Sequence, residues 1–238
     1  MKQTTQLIAI ALLVILTACG QPENVHWQAD QQDSAYGLTL GYSLPATKVQ
    51  EIVGDQFNPI VDKNGNAFLM LFIETAKQYK LQNKTFENML LAHLAVPCEE
   101  SINCPFTIAA ENQKISQVYK QFNFRIDEGE VDFSVEDQGD SLVIAAQIAT
   151  ANGKISITAK VPNNPGELVT MATKVTGSTP NSFFEGKESY RPVKISSAKI
   201  KTEGETWLSQ FDLKPEPDVM WLNTEFSWDF SFSEAVAD

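Results

Sequence analysis

The side chains that could do chemistry in this chain are few, and the most distinctive group is a pair of cysteines. Cys98 and Cys104 enclose the segment Glu99–Asn103, and each has a proline beside it. In an oxidising compartment a close, isolated pair of this kind predicts a disulfide, which would stabilise the fold by roughly 2 kcal/mol. A zinc site is a poorer interpretation, because structural zinc takes four ligands and no second Cys or His pair lies nearby. We therefore expect a disulfide and no metal.

His93, one of the two histidines of the chain, lies in an apolar run and is a candidate for binding or acid–base chemistry. A general base needs a partnered nucleophile, which the sequence does not show, so a core histidine bonded to the backbone is the simpler interpretation. The chain contains no Gly-x-Ser-x-Gly, phosphate-loop, His-Glu-x-x-His or EF-hand pattern. These motifs therefore indicate no catalytic centre and no cofactor.

The third cysteine, Cys19, follows a pattern typical of exported proteins. Lys2 precedes an apolar run, Leu7–Leu16, which is too short for a permanent transmembrane helix of about 20 residues. The run ends in Leu16-Thr17-Ala18-Cys19-Gly20 and resembles the bacterial lipobox, in which the cysteine receives a diacylglycerol and becomes the mature N-terminus. We therefore predict a signal peptide over residues 1–18 and lipidation of Cys19.

Charge and flanking residues suggest where such a lipoprotein would reside. The formal charge is −12, which argues against nucleic acid and anionic lipid as partners, so the acyl chains must supply membrane attachment. By resemblance to other lipoproteins, Gly20 rather than Asp favours the outer membrane, facing the periplasm. Residues 19–36 are polar and without periodicity, which predicts a tether with a reach of about 20 to 25 Å. Residues 37–238 would then form one domain.

The body of the chain is dominated by strand patterns. Leu38–Leu44 alternates apolar and polar residues, and Pro45 ends the run. Thr47-x-x-Gln50 fits a capping box, which predicts a short helix over residues 47–53. The apolar runs Ala67–Ile73 and Met89–Val96 predict buried strands, with a buried helix possible for the second.

The second half of the chain predicts a meander and a final aromatic strand. Alternating residues in Val131–Val161 surround the turn signal Asn152-Gly153. A loop follows over residues 162–186, with a possible helix at Leu168–Lys174, and Phe226–Phe232 presents aromatic residues on one face. The fold class is therefore mainly β (α+β), a single antiparallel barrel or sandwich-like domain with one or two short helices.

The order of these features resembles the acetoacetate decarboxylase-like family. Its elements would be Leu44-Pro45, the run Ala67–Ile73, Phe86-Glu87 leading to Pro97, and the meander. The resemblance implies that a Gly-aromatic-Pro-Lys element, whose lysine forms a Schiff base with a keto acid, precedes the meander. The segment Phe122-Asn123-Phe124-Arg125 occupies that place here and contains no Gly, Pro or Lys.

The resemblance therefore implies a cation where the family has its reactive amine. Arg125 would occupy the lysine position, and a guanidinium is not a usable carbonyl nucleophile, although it can hold a carboxylate bidentately. A surface arginine paired with Asp127 or Glu128 is the alternative. Glu87 would match the family's pocket carboxylate, or be an exposed acid at a strand end, and Lys120 is either a displaced amine or a solvated lysine on an amphipathic segment.

Three functional hypotheses follow, with the balance against an enzyme. The first is a lipoprotein that binds a small apolar or carboxylate ligand, or an envelope partner, through Arg125, Glu87, Lys120 or His93. The second is a structural or assembly accessory of the envelope, which would need an exposed apolar patch. The third is a decarboxylase-like enzyme that uses a displaced lysine, with Lys120 as the candidate.

Overall fold

The computed structural model describes residues 25–29, 35–81, 84–110, 113–121 and 123–234. The predicted signal peptide, the lipidation site Cys19, and Phe122 lie outside the described residues. No described helix has the length and apolar character needed to cross a membrane. The helices are α1 (Ala46–Val53), α2 (Gln113–Gln121) and α3 (Trp207–Gln210). The strands are β1 (Val25–Ala29), β2 (Tyr36–Pro45), β3 (Asn66–Leu81), β4 (Lys84–Pro97), β5 (Ile102–Ala110), β6 (Gly129–Asp137), β7 (Ser141–Thr150), β8 (Gly153–Pro162), β9 (Val169–Thr176), β10 (Ser182–Lys194), β11 (Lys199–Gly204) and β12 (Val219–Glu234).

The strands form a large and a small sheet. The large sheet has eight strands in the order β1-β12-β10-β9-β5-β4-β3-β2, and β12 also pairs with β2. The small sheet has the order β11-β8-β7-β6, so the predicted meander forms its centre. Pairing is antiparallel except for a short parallel contact between β5 and β9. Because the small sheet packs on the large one, the domain is sandwich-like rather than a closed barrel, which decides between the two predicted architectures.

Two apolar clusters lie on opposite faces of the large sheet. The cluster between the sheets includes Leu71 and Ile73 of β3 and Ile144 of β7, all with no exposed surface. The second cluster lies on the other face and includes aromatic residues of β10 and β12, Tyr119 of α2, and aliphatic residues of β3 and β4. We call this second cluster the aromatic core. Side chains point alternately to the two faces of a strand, so neighbouring residues of a strand in the large sheet belong to different clusters.

The strands with the clearest sequence patterns are confirmed. Leu38–Leu44 lies in β2, the two apolar runs lie in β3 and β4, and the aromatic alternation lies in β12. The four alternating aromatic side chains of β12 are all buried, as their pattern predicted: Phe226, Trp228, Phe230 and Phe232. The short helix after Pro45 is also confirmed as α1. Its predicted capping box is wrong, because the Gln50 side chain donates instead to the carbonyl oxygens of Gly54 and Phe57.

Two further local predictions differ from the structure because tertiary pairing overrides local pattern. The possible helix at Leu168–Lys174 is wrong: Val169–Thr176 is β9, paired along its length with β10, which begins at Ser182 inside the predicted loop. Val25–Ala29, within the segment predicted to be a tether, forms β1 and pairs with β12 and β3. A polar segment can form a strand here because the neighbouring strands, β12 and β3, satisfy its backbone groups.

The predicted disulfide is also wrong, because Cys98 and Cys104 are both buried free thiols. The two residues lie on either side of a hairpin in which Val96 pairs with Asn103. Cys98 belongs to the cluster between the sheets, whereas Cys104 belongs to the aromatic core. Because the two side chains lie on different faces of the sheet, their sulfur atoms are not positioned to form a disulfide, although the residues are close in sequence.

Candidate functional site

A cavity lies in the aromatic core, on the face of the large sheet that does not contact the small sheet. Its apolar lining consists of Phe72, Ile102, Val175, Phe184, Phe226 and Phe230. Its polar lining consists of Glu74, His93, Cys104, Tyr119, Thr173 and Glu188. A volume of about 60 Å³ is open to the centres of water-sized molecules, which is the space of several waters or a small organic molecule.

Strand alternation in β3 places the first acid of the cavity. Leu71 and Ile73 contact the cluster between the sheets, so Phe72 and Glu74 turn to the opposite face. Phe72 pairs with His93 of β4 in the sheet register, which puts the imidazole diagonally across from Glu74. The His93 Nε2 atom lies 3.7 Å from Glu74 Oε2, and 17% of the Glu74 side chain is exposed. The sheet therefore holds an acid and an imidazole together in a largely buried site.

His93 is fixed by contacts on its other sides. Its Nδ1 atom lies 3.3 Å from the hydroxyl oxygen of Thr107 on β5, within hydrogen-bonding distance. Its ring centroid lies 6.0 Å from that of Tyr119, at an angle of 33° between planes. The histidine is therefore bonded to a side chain, not to the backbone as the sequence suggested.

Glu188 of β10 supplies the second acid of the cavity. Burial raises the pKa of this carboxyl to about 7, and the negative charge of Glu74 adds to the increase. The hydroxyl of Thr173 on the neighbouring strand β9 lowers the pKa by a smaller amount. At neutral pH, Glu188 is therefore divided between its acid and its carboxylate form, beside the Glu74 carboxylate.

The two other titratable groups of the lining are poor nucleophiles. Burial raises the pKa of the Cys104 thiol far above its usual value, and Glu74 and Cys98 add to this increase. Burial also raises the pKa of Tyr119 well above its usual value, with additional contributions from Glu74 and Cys104. Both groups therefore stay protonated at physiological pH, whereas nucleophilic attack by cysteine requires the thiolate.

Helix α2 covers part of the cavity through Tyr119. This side chain has no exposed surface, and its ring meets three aromatic rings nearly edge-on: Phe124, Phe184 and Phe232. Such edge-to-face pairs add stability beyond the burial of area. The aromatic packing fixes the wall of the cavity and the position of the helix together.

The structure brings only one of the four predicted ligand-binding residues into the cavity. His93 lines it, whereas Glu87 and Lys120 are exposed and absent from its lining. Arg125 has 58% of its side chain exposed and forms an ion pair with Asp127, with 3.0 Å between Nε and Oδ1. Its guanidinium carbon lies 4.1 Å from the ring centroid of Phe106, which packs against the cluster between the sheets.

Sequence reasoning missed both acids of the cavity. Glu74 directly follows the run Ala67–Ile73, and extending the strand by one residue would have placed it on the face of Phe72. Glu188 lies on the same face of β10 as Phe184 and Gly186. Because glycine has no side chain, the alternation of residues along this strand was not recognisable in the sequence. Within the described part of the chain, no group of three His, Cys, Asp or Glu residues is arranged to hold a metal ion.

Comparisons with known proteins bear on the fold. No protein-family model matches the chain, and no curated protein matches its sequence. An acetoacetate decarboxylase-like enzyme from Sphingomonas wittichii RW1 is similar with a TM-score of 0.59 and 10% identity, over 91% of this chain and 93% of that one. Acetoacetate decarboxylase from Legionella pneumophila has a TM-score of 0.56 at 10% identity, over 89% and 87% of the two chains.

These likenesses establish an acetoacetate decarboxylase-like fold and confirm the resemblance at that level. At 10% identity they carry no activity to this chain. The described residues that line the cavity include two glutamates and a histidine, and none of them is a lysine or arginine. Function must therefore be argued from those side chains.

Proposed function

We propose that this chain is a lipid-anchored protein of the bacterial envelope whose domain binds a small, mostly apolar molecule without forming a covalent bond. The observation that carries the binding role is the cavity in the aromatic core, whose lining, as far as the structure describes it, includes six apolar side chains and no lysine. Small-molecule sites are typically concave, largely apolar and equipped with a few polar groups, as this one is.

Non-covalent binding is supported by the chemistry of the lining. An imine needs a neutral amine, and the described residues of the lining include no lysine. The Cys104 thiol is buried and held protonated, so it offers no ready thiolate. Lys120, the amine of the enzymatic alternative, is exposed and does not line the cavity. The shape of the cavity and non-covalent contacts with its lining, rather than a covalent bond, would retain the ligand.

The ligand role is tested by native mass spectrometry of the chain purified from its own host. We expect a small organic molecule that leaves on unfolding. Val175→Phe would fill part of the cavity and should abolish its retention, whereas Thr170→Phe, at an exposed position of the same strand, should not. A chain that carries no ligand, and whose cavity resonances shift with no small molecule tested, would contradict the binding role.

The lipid anchor needs an independent test, because it depends on the lipobox resemblance around Cys19. Cells grown with radioactive palmitate should label the full-length protein, and Cys19→Ser should remove the label and release the protein from the membrane fraction. Cys98→Ser serves as a control that leaves the lipobox intact. Membrane association that persists without label in Cys19→Ser would contradict lipid anchoring.

A further inference from the structure

The charges around the cavity are one-sided. Glu74 of β3 and Glu188 of β10 contribute carboxyl groups, and no Lys or Arg is among the described residues of the lining. The other titratable groups of this lining are His93 on β4, Cys104 on β5 and Tyr119 on α2. Burial raises the pKa of the neighbouring Tyr190, and the charge of Glu188 adds to the increase. None of these groups supplies a fixed positive charge to offset two acids in an apolar cavity.

A third acceptor faces the same space. Thr173 of β9 lines the cavity and is only 6% exposed. Its hydroxyl lies near enough to Glu188 to donate to that carboxyl and lower its pKa. A hydroxyl that donates in this way keeps its two lone pairs, so its oxygen can accept a hydrogen bond from a ligand.

Resting on the proposed function, we propose that the cavity selects a ligand with a protonated nitrogen on a small apolar body. An ammonium group has three N–H donors, which the two carboxyl groups and the Thr173 hydroxyl could accept. The aromatic walls suit both the apolar body and a cation, since ring faces attract positive charge. A carboxylate ligand, by contrast, would add a third negative charge with no lysine or arginine among the described lining residues to oppose it.

This selection couples binding to proton release. The cation would stabilise the charged form of Glu188 and displace its proton, because an opposite charge lowers the pKa of a carboxyl. Affinity for the cation should therefore rise by up to about tenfold per pH unit below pH 7 and become constant above it. A neutral ligand of the same shape should show no such rise.

The experiment compares three probes of similar size but different charge on the full chain: ethylammonium, ethanol and acetate, which are small enough for a cavity of about 60 Å³. Each is titrated at pH 8 and followed by the NMR signals of the cavity residues. We expect ethylammonium to bind about tenfold more tightly than ethanol, and acetate to bind most weakly. Tighter binding of ethanol or acetate overturns the charge selection but leaves the proposed function standing. Failure of all three to shift the cavity signals overturns both.

Matched variants test which side chains cause the preference for the cation. Glu188→Gln, which keeps the size and polarity of the side chain, should remove the pH dependence and most of the preference for the cation. Glu185→Gln changes an exposed glutamate of the same strand and should leave both unchanged. An unaltered preference in Glu188→Gln, with normal circular dichroism, overturns the role of this carboxyl. Glu74→Gln should also reduce the preference for the cation, which gives a second and independent test.

Discussion

The Nε2 atom of His93 lies 3.7 Å from the Glu74 carboxylate, on neighbouring strands and on the same face of the large sheet. Replacing His93 by Leu would leave Glu74 in the cavity without its neighbouring donor. We expect the free energy of unfolding to fall by about 1 to 3 kcal/mol, because an acid would be left unsatisfied in a largely buried place. Chemical denaturation in urea measures the change.

A double-mutant cycle tests whether the loss in His93→Leu arises from Glu74. Adding Glu74→Gln to His93→Leu should recover part of the stability, with an interaction energy above about 0.5 kcal/mol. Glu87→Gln, an exposed position on the same strand as His93, is the control and should change little. Strict additivity of the two cavity substitutions would show that the pair is not coupled.

The ionisation of Glu188 predicts an unusual dependence of stability on pH. The pKa of its carboxyl is about 7 in the fold against an ordinary value of 4.5, so the native state binds the proton more tightly than the unfolded state. The associated stabilisation is complete below pH 4.5 and is lost as the pH rises through 7. Unfolding free energies measured from pH 5 to 8 should fall by up to about 3 kcal/mol from this group.

Glu188→Gln should flatten that profile, because glutamine does not titrate. The lowered pKa values of Asp62 and Asp218 affect stability only in more acidic solution, as each loses its contribution when the pH falls below the ordinary range for aspartate. They therefore do not interfere between pH 5 and 8. Identical slopes for the wild type and Glu188→Gln in this range would rule out the raised pKa.

The two thiols of the fold should be inert while the protein is folded. Burial raises the pKa of Cys98 to about 11, and that of Cys104 is raised further. At pH 8 we expect neither residue to react with a disulfide reagent, and both to react in guanidinium chloride. Peptide mapping distinguishes them from Cys19. A peptide that joins Cys98 to Cys104 in a digest without reductant would contradict the free thiols.

A lysine introduced at position 125 should not form an imine with a keto acid. The Arg125 side chain is 58% exposed and paired with Asp127, away from the cavity lining. After treatment of Arg125→Lys with acetoacetate and borohydride, we expect no specific adduct at position 125 by mass spectrometry. An acetoacetate decarboxylase treated in the same way is the positive control. An adduct at position 125 or at Lys120 would revive the enzymatic hypothesis.

Strand positions could be predicted from the sequence wherever burial differs between the two faces of a strand. The aromatic alternation of Phe226–Phe232 and the meander over Val131–Val161 are of this kind, and both are observed. β9 was missed because its burial does not alternate: Thr170, Met171 and Ala172 are exposed in a row, so its pairing with β10, rather than its own pattern, determines its conformation.

The candidate site was less accessible to sequence reasoning, because it depends on which side chains the register brings together. His93 was found as a lone polar residue in an apolar run, but its neighbour Glu74 lies on another strand. Glu188 reaches the cavity from a strand more than ninety residues further along the chain. These three groups line one cavity only because the strand order of the large sheet brings β3, β4 and β10 around it.

Strand β12 has a consequence for how the protein matures. It pairs with β10 along most of its length, and its first residues also pair with β2, near the opposite end of the described chain. β12 therefore cannot complete the large sheet until the last part of the chain is available, and contacts between such distant segments slow folding. A truncated or incomplete chain without β12 would expose the rest of the aromatic core and be prone to aggregate.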